Sequence, residues 1–452
     1  MVFIKKIRRG DSVYLAEVKS VREGSKIRHK FLRYIGKEIN GKAERRVSTE
    51  NIEMKSVKRS LDVLAVDKIA EILKIKSLIE NKSSLALVYS QILDNKSINK
   101  LEEWFKHTEI PEILLDEFST EKLYNSLTEI NDIDFSNVER EIYFQFEKIE
   151  KGKNSVVIDV TDVYFEGKKQ NLKPRRGKDE KIKRLLQVGL AVTLNHGFPI
   201  FHGTYHGNLS NIQIMKDMIM KLKGRHFSVV IMDRGMISKE NLEIIIKLNE
   251  RVIAGLKRTN SLKKYLDKIS REEIFSLKNQ IKLKNTYVYT KSFSYFGGKL
   301  IVVYNPSLEV VKKELNFEKG KNNNKYIGYS FIYHNTKLKD KNVVKKYYEK
   351  DTVERAFRHL KGILKLRPIR LWLREHVRGH VRICYLAYAI LSFIDYKLEK
   401  LGISAVEALE SLQYGYKATL SDKKSNFSWD VIVPLQPNQK KILKKIGVDT
   451  KN

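Results

Sequence analysis

The chain has 452 residues, with 87 Lys and Arg against 54 Asp and Glu, a formal net charge of +33 and 42% hydrophobic residues. That is too apolar for a disordered basic tail, and long enough for about three domains of ~150 residues. One cysteine, Cys384, excludes a disulfide framework and a cysteine-rich zinc module. The opening MVFIKKIRRG lacks a signal-peptide core, and the longest apolar run, residues 383–394, falls short of the ~20 residues a bilayer requires. A reducing, cytoplasmic setting and a polyanion partner, most often nucleic acid, are therefore expected.

In chain order, residues 1–35 alternate and read as a three-stranded meander, and the polar, basic stretch 37–60 reads as a linker. Residues 1–60 hold 17 basic and 7 acidic side chains. The spacing turns helical over residues 61–150, whose second half reverses the charge: residues 101–150 hold 4 basic and 14 acidic side chains. From residue 155 the texture becomes strand-like. SVVIDVTDVYFEG, LLQVGLAVTLN and FPIFHGTYHGN predict three strands. Ser210 then caps a helix, FSVVIMD predicts a fourth strand, Ser238 caps a second helix, and ERVIAGLK predicts a fifth strand. Residues 285–333 return to strand texture around a short helix after Pro306, with a loop over 320–325, and the pattern is helical over about 338–361 and 374–412. Basic blocks recur at 168–184, 257–299 and 354–382, which together suggest a surface for several phosphates.

Three acids stand out by context. Asp159 lies inside an apolar strand, Asp233 ends another, and Glu354 lies on the helix KKYYEKDTVERAFRHLK. A single Asp at a strand end is ordinarily a turn or capping residue. Two on neighbouring strands with a later helical Glu form an oxygen-donor set that suits two Mg²⁺ ions, the arrangement that supports in-line phosphoryl displacement. Tyr347, Lys350, Glu354, Arg358 and Lys361 recur every three or four residues and are expected on one polar helix face. The same spacing is also compatible with an ordinary exposed face carrying i,i+4 ion pairs.

The pattern Tyr347-x2-Lys350-x3-Glu354-x6-Lys361 resembles the Y-(2)-R-(3)-E-(6)-K signature of bacterial and archaeal insertion-sequence transposases of the DDE class, with Lys350 in place of the Arg. Lysine keeps the charge but loses the bidentate fork. IDVTDVYFEG, the Gly207-Asn208 turn, MDRGMISKENL and VERAFRHLKGILKLRPI are similar to family blocks in the same order. The resemblance implies an α/β protein: a ribonuclease H-like mixed-sheet catalytic core over 151–262 and 336–400, interrupted by a β-rich insertion over 263–335. Residues 1–60 would be a small basic DNA-contacting meander and linker, 61–150 a helical region and 401–452 a C-terminal helical region. It further implies Asp159, Asp233 and Glu354 as catalytic, metal-binding residues for two Mg²⁺ ions, with Mn²⁺ as a substitute. Tyr347, Lys350, Arg358, Lys361, Arg367 and Arg370 would contact DNA. The partners would be double-stranded transposon-end and target DNA and a second copy of the chain, in a prokaryotic cytoplasm and away from membranes. A domesticated DNA-binding protein without catalysis, or another ribonuclease H-like nuclease, are the rival readings.

Asp162 competes with Asp159, but three residues away on a strand it faces the other side; Asp351 lies one turn from Glu354. His376 and His380 have zinc-compatible spacing without a third ligand, so they read as phosphate-contacting or exposed. His202 and His206 read as structural, Trp372 as a core residue rather than a base-stacking one, and Cys384 as part of a buried helix.

Overall fold

The computed structural model describes residues 2–10, 12–23, 26–39, 42–44, 49–152, 154–166, 174–176, 182–222, 227–248, 250–284, 286–318, 326–423 and 427–449. They divide into two compact units, residues 1–58 with 416–434, and residues 59–415 with 435–452. The loop expected over 320–325 and most of the basic block 168–184 lie outside the described residues.

The chain begins with β1 (Val2–Arg9), β2 (Ser12–Glu23), β3 (Lys26–Ile39) and β4 (Lys42–Glu44), an antiparallel sheet in sequence order. β5 (Ile52–Arg59) follows. The stretch read as a linker therefore holds strands. Met54 and Val57 of β5 are exposed, so the strand never shows the buried alternation that marks one in sequence.

The larger unit opens with α1 (Leu61–Ile72), α2 (Ile75–Leu78), α3 (Lys82–Leu93), α4 (Leu101–Phe105), α5 (Ile110–Leu114), α6 (Thr120–Glu129) and α7 (Phe135–Glu150). Asn81, Ser119 and Asp134 accept backbone N–H groups at the starts of α3, α6 and α7, satisfying otherwise orphaned donors. Next come β6 (Ser155–Tyr164), β7 (Pro174–Arg176), β8 (Ile182–Thr193), β9 (Pro199–His206), α8 (Asn211–Met220), β10 (Val229–Met232), α9 (Lys239–Lys247) and β11 (Val252–Leu256). Ser210 and Gln213 form a reciprocal cap on α8, and Ser238 caps α9, as the sequence predicts.

The strands stand in the order β9-β8-β6-β10-β11. β6, β8 and β9 are antiparallel neighbours, while β10 and β11 run parallel to β6. Every residue of β10 and β11 is buried, the texture of strands covered on both faces.

The insertion contributes α10 (Asn260–Leu266), α11 (Arg271–Ile274), β12 (Gln280–Lys282), β13 (Tyr287–Tyr295), β14 (Gly298–Tyr304), α12 (Pro306–Glu318) and β15 (Tyr329–His334). Its strands extend the same sheet: β15 pairs antiparallel with β11, and β14, β13 and β12 continue outward.

The chain then forms α13 (Asp340–Tyr348), α14 (Asp351–Gly362), α15 (Arg374–Leu398) and α16 (Ala405–Leu412), followed by β16 (Tyr416–Asp422), β17 (Phe427–Ile432) and α17 (Pro437–Ile446). β16 and β17 form a hairpin that joins β5 in a three-stranded sheet, so the C-terminal region is not wholly helical.

Residues 383–394 belong to the 25-residue α15. By length and composition that helix could cross a membrane, but 83% of its apolar window is buried, which makes it a core helix. It packs on β9 beside α7, where Phe146 stacks on Phe198 with ring centroids 4.1 Å apart. Deeper in that seam, His202 Nδ1 lies 2.6 Å from Glu139 Oε1.

Candidate active site

The sheet register brings two of the three acids together. Met232 of β10 pairs with Ile158 of β6, so the next residues, Asp233 and Asp159, are level on adjacent parallel strands. Paired residues of parallel strands point to the same face. On β6 that face is shared by Thr161, two residues on, whose hydroxyl is bonded by Lys361 of α14. The opposite face carries Val160 and Asp162; Gly189, the partner of Val160, lies against Met218 of α8. Asp162 thus faces α8 and Asp159 faces α14.

The helical stretch expected over 338–361 is two helices. The backbone stays near helical values at Glu349 and Lys350, but the bonds tighten: Lys350 N–H reaches Tyr347 O at 3.4 Å and Val353 N–H reaches Lys350 O at 3.3 Å. The expected single polar face is therefore broken between Tyr347 on α13 and Glu354 on α14. Tyr347 before the break and Lys350 within it both turn onto Asp233: Tyr347 Oη donates to Asp233 Oδ1 at 3.3 Å, and Lys350 Nζ sits 2.6 Å from the same oxygen. One end of α14 is thus anchored at Asp233 through Lys350, and the other at Thr161, beside Asp159, through Lys361. Glu354 lies between these anchors, exposed, on a helix that packs on β6 and β8.

The charges reflect this geometry. Burial alone would raise the Asp233 carboxyl. The Lys350 hydrogen bond and charge outweigh it, helped by the N–H of Arg234 and by Tyr347, and hold it below the usual carboxylate range. Burial, then the Asp233 charge, pushes the Tyr347 hydroxyl well above the ordinary phenol range. Asp159 is half-buried, and its Oδ1 accepts the Val160 N–H at 2.7 Å.

The remaining residues singled out in the sequence scatter more widely. Arg358 is exposed on α14. Arg367 lies over the Tyr164 ring, 5.4 Å from its centroid, and Arg370 pairs with Glu166 at 3.1 Å, both near the end of β6. Asp351 faces away, into a cavity of about 510 Å³ that also includes Lys282, Lys284 and Tyr348. His376 stacks on Tyr124, whereas His380 is half-buried beside the buried Cys384, with 3.6 Å between Nε2 and Sγ. The two histidines share no ligand site. Trp372 is 60% exposed, not core.

Two residues escaped sequence reasoning. A Cβ on Gly255 of β11 would overlap Tyr347 Oη, so only glycine lets that ring cross the strand. A glycine inside a buried strand is the signal that could have flagged it. Lys346 of α13 reaches Ser155 Oγ at 3.1 Å and pins α13 to the start of β6; nothing in the sequence marks it.

Among the described residues, no group of three or more His, Cys, Asp and Glu side chains gathers tightly enough to hold a metal ion. The donor pair nevertheless suits a divalent cation. Asp159 and Asp233 offer hard carboxylate oxygens from adjacent strands, and a cationic ammonium already rests on one of them.

The arrangement is an acidic centre in basic surroundings on a mixed α/β scaffold. The chain belongs to the Transposase DDE domain family, which matches residues 150–390, more than half its length. It is therefore a protein of DNA transposition, from a family that generally uses divalent metal ions. Among solved structures it is similar to the cryo-EM structure of piggyBac transposase synaptic complex with hairpin DNA. That similarity has 11% identity, spans 74% of this chain and 70% of that one, and gives a TM-score of 0.43. No curated protein sequence matches it.

Proposed function

We propose that the chain is an insertion-sequence transposase of the YREK cut-and-paste type with a ribonuclease H-like core. The strand order β9-β8-β6-β10-β11, antiparallel at one side and parallel at the other, supports that core. The observation that carries the reading is the level pair Asp159 and Asp233 beneath a helix whose two anchors bracket Glu354.

In this reading Asp159 and Asp233 hold the divalent ions, with Glu354 completing the set from α14. Two Mg²⁺ ions, or Mn²⁺, would supply Lewis acidity and lower the pKa of the attacking hydroxyl group. Water attacks the phosphodiester at the element end, the P–O3′ bond breaks, and a 3′-hydroxyl and a 5′-phosphate are left. The freed 3′-hydroxyl then attacks a target phosphodiester and displaces its 3′-oxygen. Lys361 and Arg358 neutralise backbone phosphates along α14. Tyr347 and Lys350 hold Asp233 in place, and on the family pattern both would also contact the phosphates of the element end. Arg367 and Arg370 extend the cationic track, and the basic meander of residues 1–60 adds sequence-independent affinity for the terminal repeats. Two copies would hold the two element ends in a nucleoid-associated complex in the cytoplasm.

The test is a cleavage and strand-transfer assay on duplexes carrying the element's ends, with Mg²⁺ and with EDTA. Asp159→Asn, Asp233→Asn and Glu354→Gln are each expected to abolish both products while leaving DNA binding intact. Full activity in all three variants sinks the assignment. Binding without metal-dependent cleavage by the wild type identifies a regulatory DNA-binding protein, and cutting of branched DNA without strand transfer identifies another nuclease.

A further inference from the structure

The rim of the acidic centre carries a second, purely cationic cluster. Arg234 follows Asp233, and carrying the β10–β11 register two residues past Met232 and Ala254 sets Arg234 level with Leu256, where β11 ends. The two strand ends touch: a Cβ on Gly255 would lie 3.2 Å from Arg234 Cβ. Arg258, two residues past β11, donates from Nη1 to Tyr326 O at 2.6 Å. Two residues beyond Tyr326, Gly328 accepts the Asn305 N–H at 2.9 Å and packs against Glu309 of α12. Lys312 lies one turn further along α12, half-buried. Burial, then the charges of Arg258 and Arg234, holds its ammonium below the usual lysine range.

Three cations from distant parts of the chain thus converge beside Asp233. Glu309, the nearest acid on α12, is taken by Tyr304, Arg271 and Lys313. Arg234, Arg258 and Lys312 have no carboxylate partner among the described residues. Exposed cations that repel one another would ordinarily splay into water, yet Lys312 stays half-buried within range of the charges of Arg258 and Arg234. An anion removes that repulsion. Guanidinium forks and an ammonium point charge together suit the non-bridging oxygens of a phosphate.

We propose that Arg234, Arg258 and Lys312 form a phosphate-binding site that seats a DNA backbone phosphodiester beside the carboxylate pair, which makes insertion helix α12 part of the strand-positioning surface. The choice of DNA as ligand rests on the transposase reading; the anion site itself does not. Two measurements on the full chain separate them. The first is fluorescence anisotropy of a labelled 30-bp duplex in EDTA over a salt series. Arg234→Gln, Arg258→Gln and Lys312→Gln are each expected to weaken binding and flatten the log–log salt slope by ~0.9. Lys312→Arg should keep the slope, as should Lys247→Gln on α9. The second is NMR of the reductively ¹³C-methylated protein titrated with inorganic phosphate. The Lys312 signal is expected to shift, and to stay put in the Arg234→Gln, Arg258→Gln double variant. A Lys312 signal that ignores phosphate overturns the site. A shifting signal with wild-type DNA affinity and slope in all three Gln variants overturns its DNA role. No DNA binding by the wild type overturns the transposase reading, and the phosphate titration still decides the site.

Discussion

The contact between Gly255 and Tyr347 makes the sharpest prediction because it needs no assumption about chemistry. A methyl group at residue 255 would overlap Tyr347 Oη and stand 2.9 Å from its Cζ and 3.2 Å from Arg234 Cβ. Gly255 lies in the fully buried β11, between β10 and β15, so the strand cannot yield and the tyrosine must. Overpacking of this kind costs about 1–3 kcal/mol. The displaced ring also loses its bond to the Asp233 carboxylate. That bond is long, at 3.3 Å, and the Asp233 side chain is 45% exposed. Its share is therefore nearer ~1 kcal/mol than the upper range for bonds to charged groups. Gly255→Ala is expected to cost about 2–4 kcal/mol in urea unfolding at pH 7. Tyr347→Phe removes the overlapping atom but leaves Cζ tight, so the double variant should recover ~1–2 kcal/mol relative to the sum of the single changes. A Gly255→Ala cost below ~0.5 kcal/mol, or strictly additive variants, would mean that Tyr347 does not cross β11 where it is described.

Three further outcomes are expected. Lys350→Ala removes the main influence holding the Asp233 carboxyl low, and a ¹³C-carboxyl titration should show it moving up. Because the folded carboxyl is depressed, its contribution to stability is present above the unfolded carboxylate pKa and is lost as pH falls through the lower folded value, so Lys350→Ala should flatten that acid limb. His380 is half-buried, and the burial of its ring lowers its pKa to about 4. Its neutral form stabilises the fold above the ordinary histidine pKa of ~6.5, and that stability is lost as pH falls from there towards 4, roughly 3 kcal/mol in all. His380→Gln should remove this slope from unfolding midpoints measured over that window. Gly379 of α15 has the carbonyl of Leu127 where its Cβ would go. Gly379→Ala should therefore drive α15 off α6 and lower the thermal midpoint by roughly 1–4 °C, which calorimetry would read.

The core strands were legible because β10 and β11 are unbroken apolar runs and β6 opens on one, and Asp159 and Asp233 stood out as acids within or at the end of such runs. Ser210 and Ser238 were legible because capping is local. What stayed hidden depends on distant partners. KKYYEKDTVERAF has the spacing of one continuous helix, and nothing in it announces the tightened turn at Glu349 and Lys350. That turn accompanies the contacts of Tyr347 and Lys350 with Asp233, more than a hundred residues away. Trp372 was expected in the core because large aromatics usually are, but its loop turns it to solvent. The cluster of Arg234, Arg258 and Lys312 is likewise invisible without the pairing of β10 with β11 and the packing of Gly328 against α12.

The insertion explains how 120 residues can separate Asp233 from Glu354 without loosening the site. The chain leaves the core at the end of β11 and returns along β15, which pairs antiparallel with β11 from Leu256 opposite Phe331 to Ile253 opposite His334. Entry and exit are therefore neighbouring strands, held by backbone hydrogen bonds whatever lies between. α13 begins six residues after His334, at Asp340, which Ser292 of β13 and Lys299 of β14 hold through its carboxylate. The strands of the insertion thus fix where α13 starts, and α13 in turn packs on β11 and β15 and sets Tyr347 over Gly255. From there Lys350 and Lys361 anchor α14 across the two aspartates. On this account the insertion is a structural arm of the acidic centre, and a change in β13 or β14 that frees Asp340 acts on Glu354 through two helices without touching it.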